Sequence, residues 1–207
     1  MRWTIPNMLT ALRLLAAPMV PVMFLYFSRP GADWFALVLF VGASVTDWFD
    51  GYLARAWKQQ TKIGTMLDPI ADKAMVIIAL VVICGYSTWT PWLVLPATII
   101  LFREVFVSGL REYLGDVAGT LKVTQLAKWK TTLQMVAIAV LFSQGIFEHQ
   151  AEVKEIAGDV LAEQRYLDFR LWAGRLGVGL LWFAAVLTLV TGWDYFRKAM
   201  PHLREDK

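Results

Sequence analysis

The chain has 207 residues, of which 57% are hydrophobic and 18% are charged, with a mean hydropathy of +0.51 and a net charge of +3. A soluble domain is nearer half apolar and about a quarter charged. The composition excludes a disordered protein, a collagen, a disulfide scaffold and an ordinary soluble enzyme. The single cysteine, Cys84, cannot form an internal disulfide.

Long uncharged runs predict helices that span a membrane. They cover residues 14–28, 34–46, 74–102, 131–147 and 176–193. One span needs about 20 residues, so the run 74–102 is too long for one helix, and it contains the turn signature GYSTWTP at 85–91. We therefore expect an all-α integral membrane protein with a single domain over residues 1–207. Its six transmembrane helices are predicted at roughly 5–28, 34–57, 64–85, 91–112, 130–147 and 171–196.

The placement of Lys and Arg predicts the orientation. Segments 1–13, 55–73, 103–130 and 197–207 hold 15 of the 20 basic residues, whereas the intervening segments 28–34, 85–92 and 148–170 hold 4. Because basic residues concentrate on the cytoplasmic side, both termini are expected in the cytoplasm. The acidic segment 148–170 is then expected outside, as a candidate short surface helix without an assigned function. No cleavable signal peptide is evident.

The first predicted helix carries a polar stripe. Pro6 stands near its first position, where proline is favoured, and Asn7, Thr10 and Arg13 follow at steps of three on an otherwise apolar helix. Residues three apart share a helix face. Helix capping by Asn7 and membrane anchoring by Arg13 would explain the stripe without any function.

Two pairs of aspartates flank the next connection. Asp47 and Asp50 are three residues apart near the end of the second predicted helix, and Asp68 and Asp72 are four apart at the start of the third. Each pair should share a helix face. Pro69 is expected in the first turn of its helix, with Asp68 near the cap. The short connection between the helices can bring the four carboxylates together at the cytoplasmic membrane boundary.

These aspartates could be helix-end charges that face water. Four of them at a membrane boundary are nevertheless costly, since a lipid-facing Asp at mid-bilayer costs about 2.5–3.5 kcal/mol. A bound cation would compensate. All the ligands are oxygens, with no His or Cys nearby, and oxygen ligands favour Mg²⁺ or Mn²⁺. Four carboxylates are enough to share between two ions.

Small residues and one arginine accompany the aspartates. Gly51 and Ala54 lie on the Asp47 side of the second helix, and Gly64 is expected to open the third. Small residues of this kind serve either close helix packing or the close approach of a ligand to the backbone. Arg55 suits phosphate, although it could equally be a cytoplasmic anchor.

The combined spacing resembles the signature of the CDP-alcohol phosphatidyltransferase family, D-x2-D-G-x2-A-R-x8-G-x3-D-x3-D. All eight fixed positions are met: Asp47, Asp50, Gly51, Ala54, Arg55, Gly64, Asp68 and Asp72. Members of this family transfer a phosphatidyl group from a CDP-linked lipid to an alcohol and release CMP. The family is built on six membrane helices, which agrees with the six that the hydropathy predicts.

The resemblance implies roles for individual residues. Asp47, Asp50, Asp68 and Asp72 would hold two divalent cations, and Asp72 would also be the general base on the acceptor hydroxyl. The cytidine diphosphate site would be lined by Asn7, Thr10, Asp47, Asp50, Gly51, Ala54, Arg55, Gly64, Thr65 and Asp68. The resemblance further suggests a bacterial cytoplasmic membrane, an active site that faces the cytoplasm, and a homodimer. No nucleic acid is expected as a partner.

A basic cluster at the ends of the fourth and fifth helices predicts the acceptor. It contains Arg103, Arg111, Lys128 and Lys130, and cytoplasmic placement could explain most of these charges. Arg103 follows a long apolar stretch and needs a partner, because its neighbour Glu104 should point away from it on a helix. A phosphate on the acceptor would supply that partner.

The same two segments resemble those of bacterial family members that use sn-glycerol 3-phosphate and form phosphatidylglycerophosphate. They share an R-E…S-x-L-R-E stretch and a G-K-x-K-T-x2-Q-M stretch, in which Ala127 here replaces the glycine. Arg103 and Lys130, followed by Arg111, are therefore the candidates for binding the acceptor phosphate.

Other functions remain open on the sequence. The same metal site would serve an acceptor such as inositol phosphate, serine or phosphatidylglycerol, the last giving cardiolipin, although the basic residues count against serine. A cation transporter could also carry intramembrane aspartates. Transporters usually show repeated halves with paired broken helices, whereas this chain confines its carboxylates to one helix pair. Nothing in the sequence favours a purely structural membrane protein.

Overall fold

The computed structural model describes residues 4–56, 61–87, 90–121 and 125–203. Within these ranges, the side chains of residues 5, 6, 47–56, 62, 125, 127 and 128 are not described. The regular structure of the described ranges is entirely helical. The elements are α1 (Ile5–Ala16), α2 (Met19–Tyr26), α3 (Arg29–Ala56), α4 (Lys62–Tyr86), α5 (Pro91–Leu114), a 3₁₀ helix (Gly115–Gly119), α6 (Gln125–Ile156) and α7 (Val160–Leu203).

Within the described residues, four helical segments are long and apolar enough to cross a membrane. They are Asn7–Tyr26, Pro91–Gly119, Trp129–Ile156 and Val160–Leu203. The first of these combines α1 and α2, which the sequence predicts as one helix. The two are separated at Ala17 and Pro18 because Pro18 has no N–H to donate to the carbonyl of Leu14.

The start of α4 differs from the prediction. The helix begins at Lys62 rather than at Gly64, and Thr61 caps it by accepting a hydrogen bond from the Gly64 N–H at 3.1 Å. Asp68 and Pro69 therefore lie inside the helix, and the prediction that they mark its cap and first turn is wrong. Asp68 and Asp72 still share one face, because both are helical and four residues apart.

The predicted break within residues 74–102 is confirmed, since α4 ends at Tyr86 and α5 begins at Pro91. The prediction of a separate short helix within residues 148–170 is wrong. α6 continues to Ile156 and α7 begins at Val160. Between them Gly158 adopts a φ of +72°, which glycine tolerates, and the Asp159 carboxylate accepts from the Ala162 N–H at 3.1 Å as the cap of α7.

The helices pack around one apolar core. α6 and α7 form the largest helix–helix contact, α5 packs on α7, and α3 packs on α6. α1 packs against both α3 and α4, so its polar stripe faces the helices that carry the aspartates. The largest fully buried apolar side chains are Phe40, Met75, Leu80, Ile100, Ile138 and Leu181.

Candidate active site

The polar stripe of α1 is buried against α4. Asn7, Thr10 and Arg13 are only 3%, 1% and 4% exposed, so capping and anchoring at a surface do not explain them. The Thr10 hydroxyl donates to Asp68 Oδ1 at 2.7 Å, and Arg13 Nη1 donates to Asp72 Oδ1 at 2.9 Å. α1 therefore orients both carboxylates of α4.

The third residue of the stripe meets the cap of α4. Asn7 Nδ2 donates to Thr61 Oγ1 at 2.7 Å, and the Thr61 hydroxyl lies 3.0 Å from Asn7 Oδ1. A Cβ on Gly64 would lie 2.6 Å from Asn7 Oδ1. The absence of a side chain at Gly64 therefore permits the close approach of α1 and α4. The neighbouring Thr65 is exposed, and its hydroxyl donates to the Thr61 carbonyl at 3.0 Å.

The second aspartate pair is only partly described. The backbone of α3 is helical through Asp47 and Asp50, which is the condition for the two residues to share a face. The side chains of Asp47, Asp50, Gly51, Ala54 and Arg55 lie outside the described residues. Among the side chains that are described, no group of three or more His, Cys, Asp or Glu could hold a metal ion.

A cavity of about 250 Å³ opens beside Asp72, between α4, α5, α6 and α7. Most of the residues that line it are charged or can form hydrogen bonds. Its charged and hydrogen-bonding lining residues are Asp72, Lys73, Arg103, Glu104, Ser108, Arg111, Lys130, Thr131, Gln134, Thr191, Asp194 and Tyr195. The structure thus brings the three predicted phosphate-binding residues and the predicted general base to the walls of one cavity.

A buried ion cluster forms one wall of this cavity. Glu104 is 8% exposed and Lys130 is 5% exposed. Glu104 Oε1 accepts from both Lys130 Nζ and Arg103 Nη1, the latter at 3.2 Å. The expectation that Arg103 and Glu104 point apart is wrong, because the long arginine side chain reaches back to its neighbour although the Cα–Cβ bonds diverge.

Further contacts tie the cavity walls together. The Lys73 ammonium donates to Ser108 Oγ, and the Ser108 hydroxyl donates to the Glu104 carbonyl at 2.6 Å, so α4 is linked to α5. The guanidinium of Arg111 lies 5.2 Å from the centre of the Tyr195 ring, which links α5 to α7 as a cation–π contact.

Several residues of this cavity are not among those that the sequence predicts. The sequence indicates Glu104 only as the neighbour of Arg103, and it predicts no site residue on α7. A signal for α7 was available, since Thr188, Thr191 and Tyr195 recur at steps of three and four within a largely apolar helix. Gln134 on α6 donates to Thr188 Oγ1 at 3.0 Å in the buried interior.

The charged side chains of the cavity beside Asp72 suit a ligand that carries both an anionic group and a hydroxyl group. Four cationic side chains and three carboxylates share one partly enclosed space, which gives a formal net charge of +1; they are Lys73, Arg103, Arg111, Lys130, Asp72, Glu104 and Asp194. Cations in such a space favour an anionic ligand, and a carboxylate close by can accept a proton from a hydroxyl of that ligand. A phosphorylated alcohol has both groups.

Comparisons with known proteins agree with a site for a phosphorylated alcohol. A family model described as CDP-alcohol phosphatidyltransferase matches residues 3–190. The chain is 59% identical to a protein of Cereibacter sphaeroides over the full length of both chains. It is 39% identical to a Rickettsia bellii protein, with 93% of each chain covered, and 34% identical to an Escherichia coli protein, with 98% of each covered. All three relatives are named CDP-diacylglycerol–glycerol-3-phosphate 3-phosphatidyltransferase.

Proposed function

This chain belongs to the CDP-alcohol phosphatidyltransferase family, and we propose that it transfers the phosphatidyl group of CDP-diacylglycerol to sn-glycerol 3-phosphate. The products are phosphatidylglycerophosphate and CMP. One observation carries the proposal: Asp72 lines the same cavity as Arg103 and Lys130. That cavity offers a base for the acceptor hydroxyl and cations for the acceptor phosphate, and the relatives' names state the same two substrates.

The donor set fits divalent cations. Asp68 and Asp72 present carboxylates on one face of α4, and each is oriented by a neighbour on α1. Together with Asp47 and Asp50 they would form an oxygen-only site, which suits Mg²⁺ or Mn²⁺. When bound, two such ions would neutralise the pyrophosphate and stabilise the leaving oxygen of CMP.

Asp72 is proposed as the general base. The acceptor hydroxyl oxygen bonds to the phosphorus of the phosphatidyl group, the bond from that phosphorus to the CMP oxygen breaks, and the hydroxyl proton passes to the Asp72 carboxylate. The side chain of Asp72 is 37% exposed, so a ligand in the cavity can reach it. Arg13 holds this carboxylate in place from α1. Phosphoryl transfer depends more on such positioning than on covalent catalysis by the protein.

The cytidine diphosphate site is proposed at the cytoplasmic end of α1, α3 and α4. The contacts of Asn7 and Thr10 with Thr61 and Asp68 support this placement, since they bring α1 to the face of α4 that carries the aspartates. The proposed lining residues are Asn7, Thr10, Asp47, Asp50, Gly51, Ala54, Arg55, Gly64, Thr65 and Asp68.

The acceptor phosphate is proposed to bind between α5 and α6. Lys130 is buried at this wall of the cavity, and Arg103 is half-buried beside it with 12% of its side chain exposed. Arg111 is exposed, two helical turns beyond Arg103 toward the end of α5. Glu104 holds Arg103 and Lys130 close together. It thereby reduces the repulsion between two cations that would otherwise keep them apart.

We also propose six membrane spans, with both termini in the cytoplasm of a bacterial cell and the active site facing the cytoplasm. α3 and α4 supply the two spans beyond the four that length and apolarity indicate. Both are long enough to span a membrane, at 28 and 25 residues. A single domain and a homodimer complete the proposal.

The experiment uses purified protein in detergent with CDP-diacylglycerol, Mg²⁺ or Mn²⁺ and labelled glycerol 3-phosphate. We expect labelled phospholipid that disappears with EDTA and falls at least about 1,000-fold in Asp72→Asn, since the base and a metal ligand are lost together. Asp116→Asn makes the same chemical change at an exposed site and should keep full activity.

Other outcomes separate the alternatives. CMP release with inositol phosphate or phosphatidylglycerol, but not with glycerol 3-phosphate, would preserve the family chemistry and refute the acceptor. Folded protein that releases no CMP with any acceptor would refute the enzyme and favour a transporter.

A further inference from the structure

Two polar atoms in the wall of the proposed acceptor cavity are buried without a hydrogen-bond partner. Within the described ranges, neither Arg103 Nε nor the Tyr195 hydroxyl has a partner. Tyr195 is 5% exposed, and both residues line the cavity beside Asp72. Buried polar groups are rarely left unpaired because the lost hydration costs stability. A ligand that occupies the cavity would remove this cost.

The chemistry of the two atoms limits that ligand. Arg Nε carries a hydrogen and can only donate, and a tyrosine hydroxyl can donate. A ligand that pairs with both must therefore offer acceptor oxygens. The guanidinium nitrogen Nη1 of Arg103 is already paired with Glu104. The N–H of Nε has no partner within the described ranges and can donate to a ligand. A phosphate has several acceptor oxygens and the charge that Arg103 and Lys130 favour.

The packing brings the two donors to the same side of α7. A Cβ on Gly192 would lie 2.9 Å from Arg103 Cγ, so the arginine side chain crosses α7 at this glycine. Tyr195 is three residues further along and shares that helix face. The Arg111 guanidinium lies 5.2 Å from the centre of the Tyr195 ring and so contacts the tyrosine from α5. Gly192 thus lets Arg103 approach the level of Tyr195.

We propose that Tyr195 binds the acceptor directly, by donating a hydrogen bond from its hydroxyl to the acceptor phosphate beside Arg103. This inference rests on the proposed function and adds a residue of α7 to a phosphate site otherwise built from α5 and α6. Tyr195 then contributes to the binding of glycerol 3-phosphate and not to that of CDP-diacylglycerol.

The test is Tyr195→Phe, which removes only the hydroxyl. A hydrogen bond to a charged group accounts for a change of about 10- to 100-fold in affinity. We expect the KM for glycerol 3-phosphate to rise by that factor, while the KM for CDP-diacylglycerol stays within about two-fold. Tyr113→Phe is the matched control, because Tyr113 is 76% exposed on α5, and both of its KM values should equal those of the wild type.

A binding measurement complements the kinetics. Glycerol 3-phosphate alone should raise the Tm of the wild type in detergent, and this shift should be lost or strongly reduced in Tyr195→Phe. The ligand-free variant should melt at the same temperature or higher, because a buried hydroxyl without a partner is removed. An unchanged KM and an unchanged ligand-induced shift would overturn the proposal, as would an equal rise of both KM values, which indicates a structural role.

The failure of the proposed function would look different. Wild-type protein that makes no lipid from glycerol 3-phosphate refutes that function, whatever the variant does. Inorganic phosphate then replaces glycerol 3-phosphate in the melting experiment. A phosphate-induced shift that Tyr195→Phe loses would support the phosphate contact. Equal shifts in the two proteins, or none in either, would overturn it.

Discussion

Gly64→Ala tests the closeness of α1 and α4 at the proposed donor site. The new Cβ would lie 2.6 Å from Asn7 Oδ1, whereas ordinary contact begins at 3.4 Å, so the Asn7 amide must move by about 0.8 Å. That movement disrupts the contacts of 2.7 and 3.0 Å between Asn7 and Thr61. At about 0.5–1.5 kcal/mol each, their loss costs about 1–3 kcal/mol.

The helix propensity of alanine offsets part of this cost. Replacing Gly by Ala in a helix stabilises it by about 1 kcal/mol, so the net loss of stability should be only about 0–2 kcal/mol. The effect on donor binding should be clearer. Displacement of Asn7 from the proposed cytidine site should raise the KM for CDP-diacylglycerol about 10-fold or more, the equivalent of one hydrogen bond to a charged group. The KM for glycerol 3-phosphate should not change.

The assay measures labelled lipid at varied CDP-diacylglycerol, together with thermal unfolding in detergent. Gly179→Ala is the matched control, since a Cβ there meets no atom within 4 Å and the residue lies in α7. It should keep both KM values and gain a little stability. If Gly64→Ala behaves like Gly179→Ala in both measurements, the argument from close approach is refuted.

Two further substitutions separate catalysis from stability. Arg13→Lys removes the planar guanidinium that orients Asp72, so kcat should fall about 10- to 100-fold with both KM values nearly unchanged. An unaltered kcat would show that Arg13 does not position the base. In Gly145→Ala the new Cβ would clash with the carboxylate of the buried Asp33. The free energy of unfolding should fall by about 2–4 kcal/mol, because the clash displaces a buried charged group. An unchanged Tm for this variant would contradict the packing at Asp33. Its KM values should stay those of the wild type, because Gly145 lies about three helical turns along α6 beyond Gln134 and does not line the cavity.

Much of the site could be predicted from the sequence because its signals are local. The stripe of Asn7, Thr10 and Arg13 and the spacing of Asp68 and Asp72 depend only on helical periodicity, which the structure retains. The pairing of the stripe with the aspartates was not predictable, because residues more than 50 positions apart meet only after α1 packs on α4. The position of Pro69 could not be predicted correctly, because proline favours the first turn of a helix, whereas the Thr61 cap adds nearly two turns before Pro69 in α4.

The cavity wall formed by Arg103, Glu104 and Lys130 shows the same difference between local sequence signals and contacts that depend on packing. Arg103 stands out in the sequence because it follows a long apolar stretch, where a charge is expensive, whereas Lys130 is indicated by the resemblance of its segment. Glu104, which pairs with both of them, is not indicated by the sequence. The Cα–Cβ directions of adjacent residues diverge on a helix, but they do not determine where the end of a long side chain lies. The contribution of Tyr195 depends on how α7 crosses α5, and no spacing within α7 specifies that crossing.

The membrane class, the helical periodicity, the aspartate signature and the family can all be inferred from the amino-acid sequence, because composition and short-range spacing are properties of the chain before it folds. The contacts between helix faces, the carboxylate that each α1 residue orients, and the cations that share a cavity with Asp72 become visible after folding. These pairings depend on how the whole set of helices packs, and small residues such as Gly64 and Gly192 control how closely the helices approach one another.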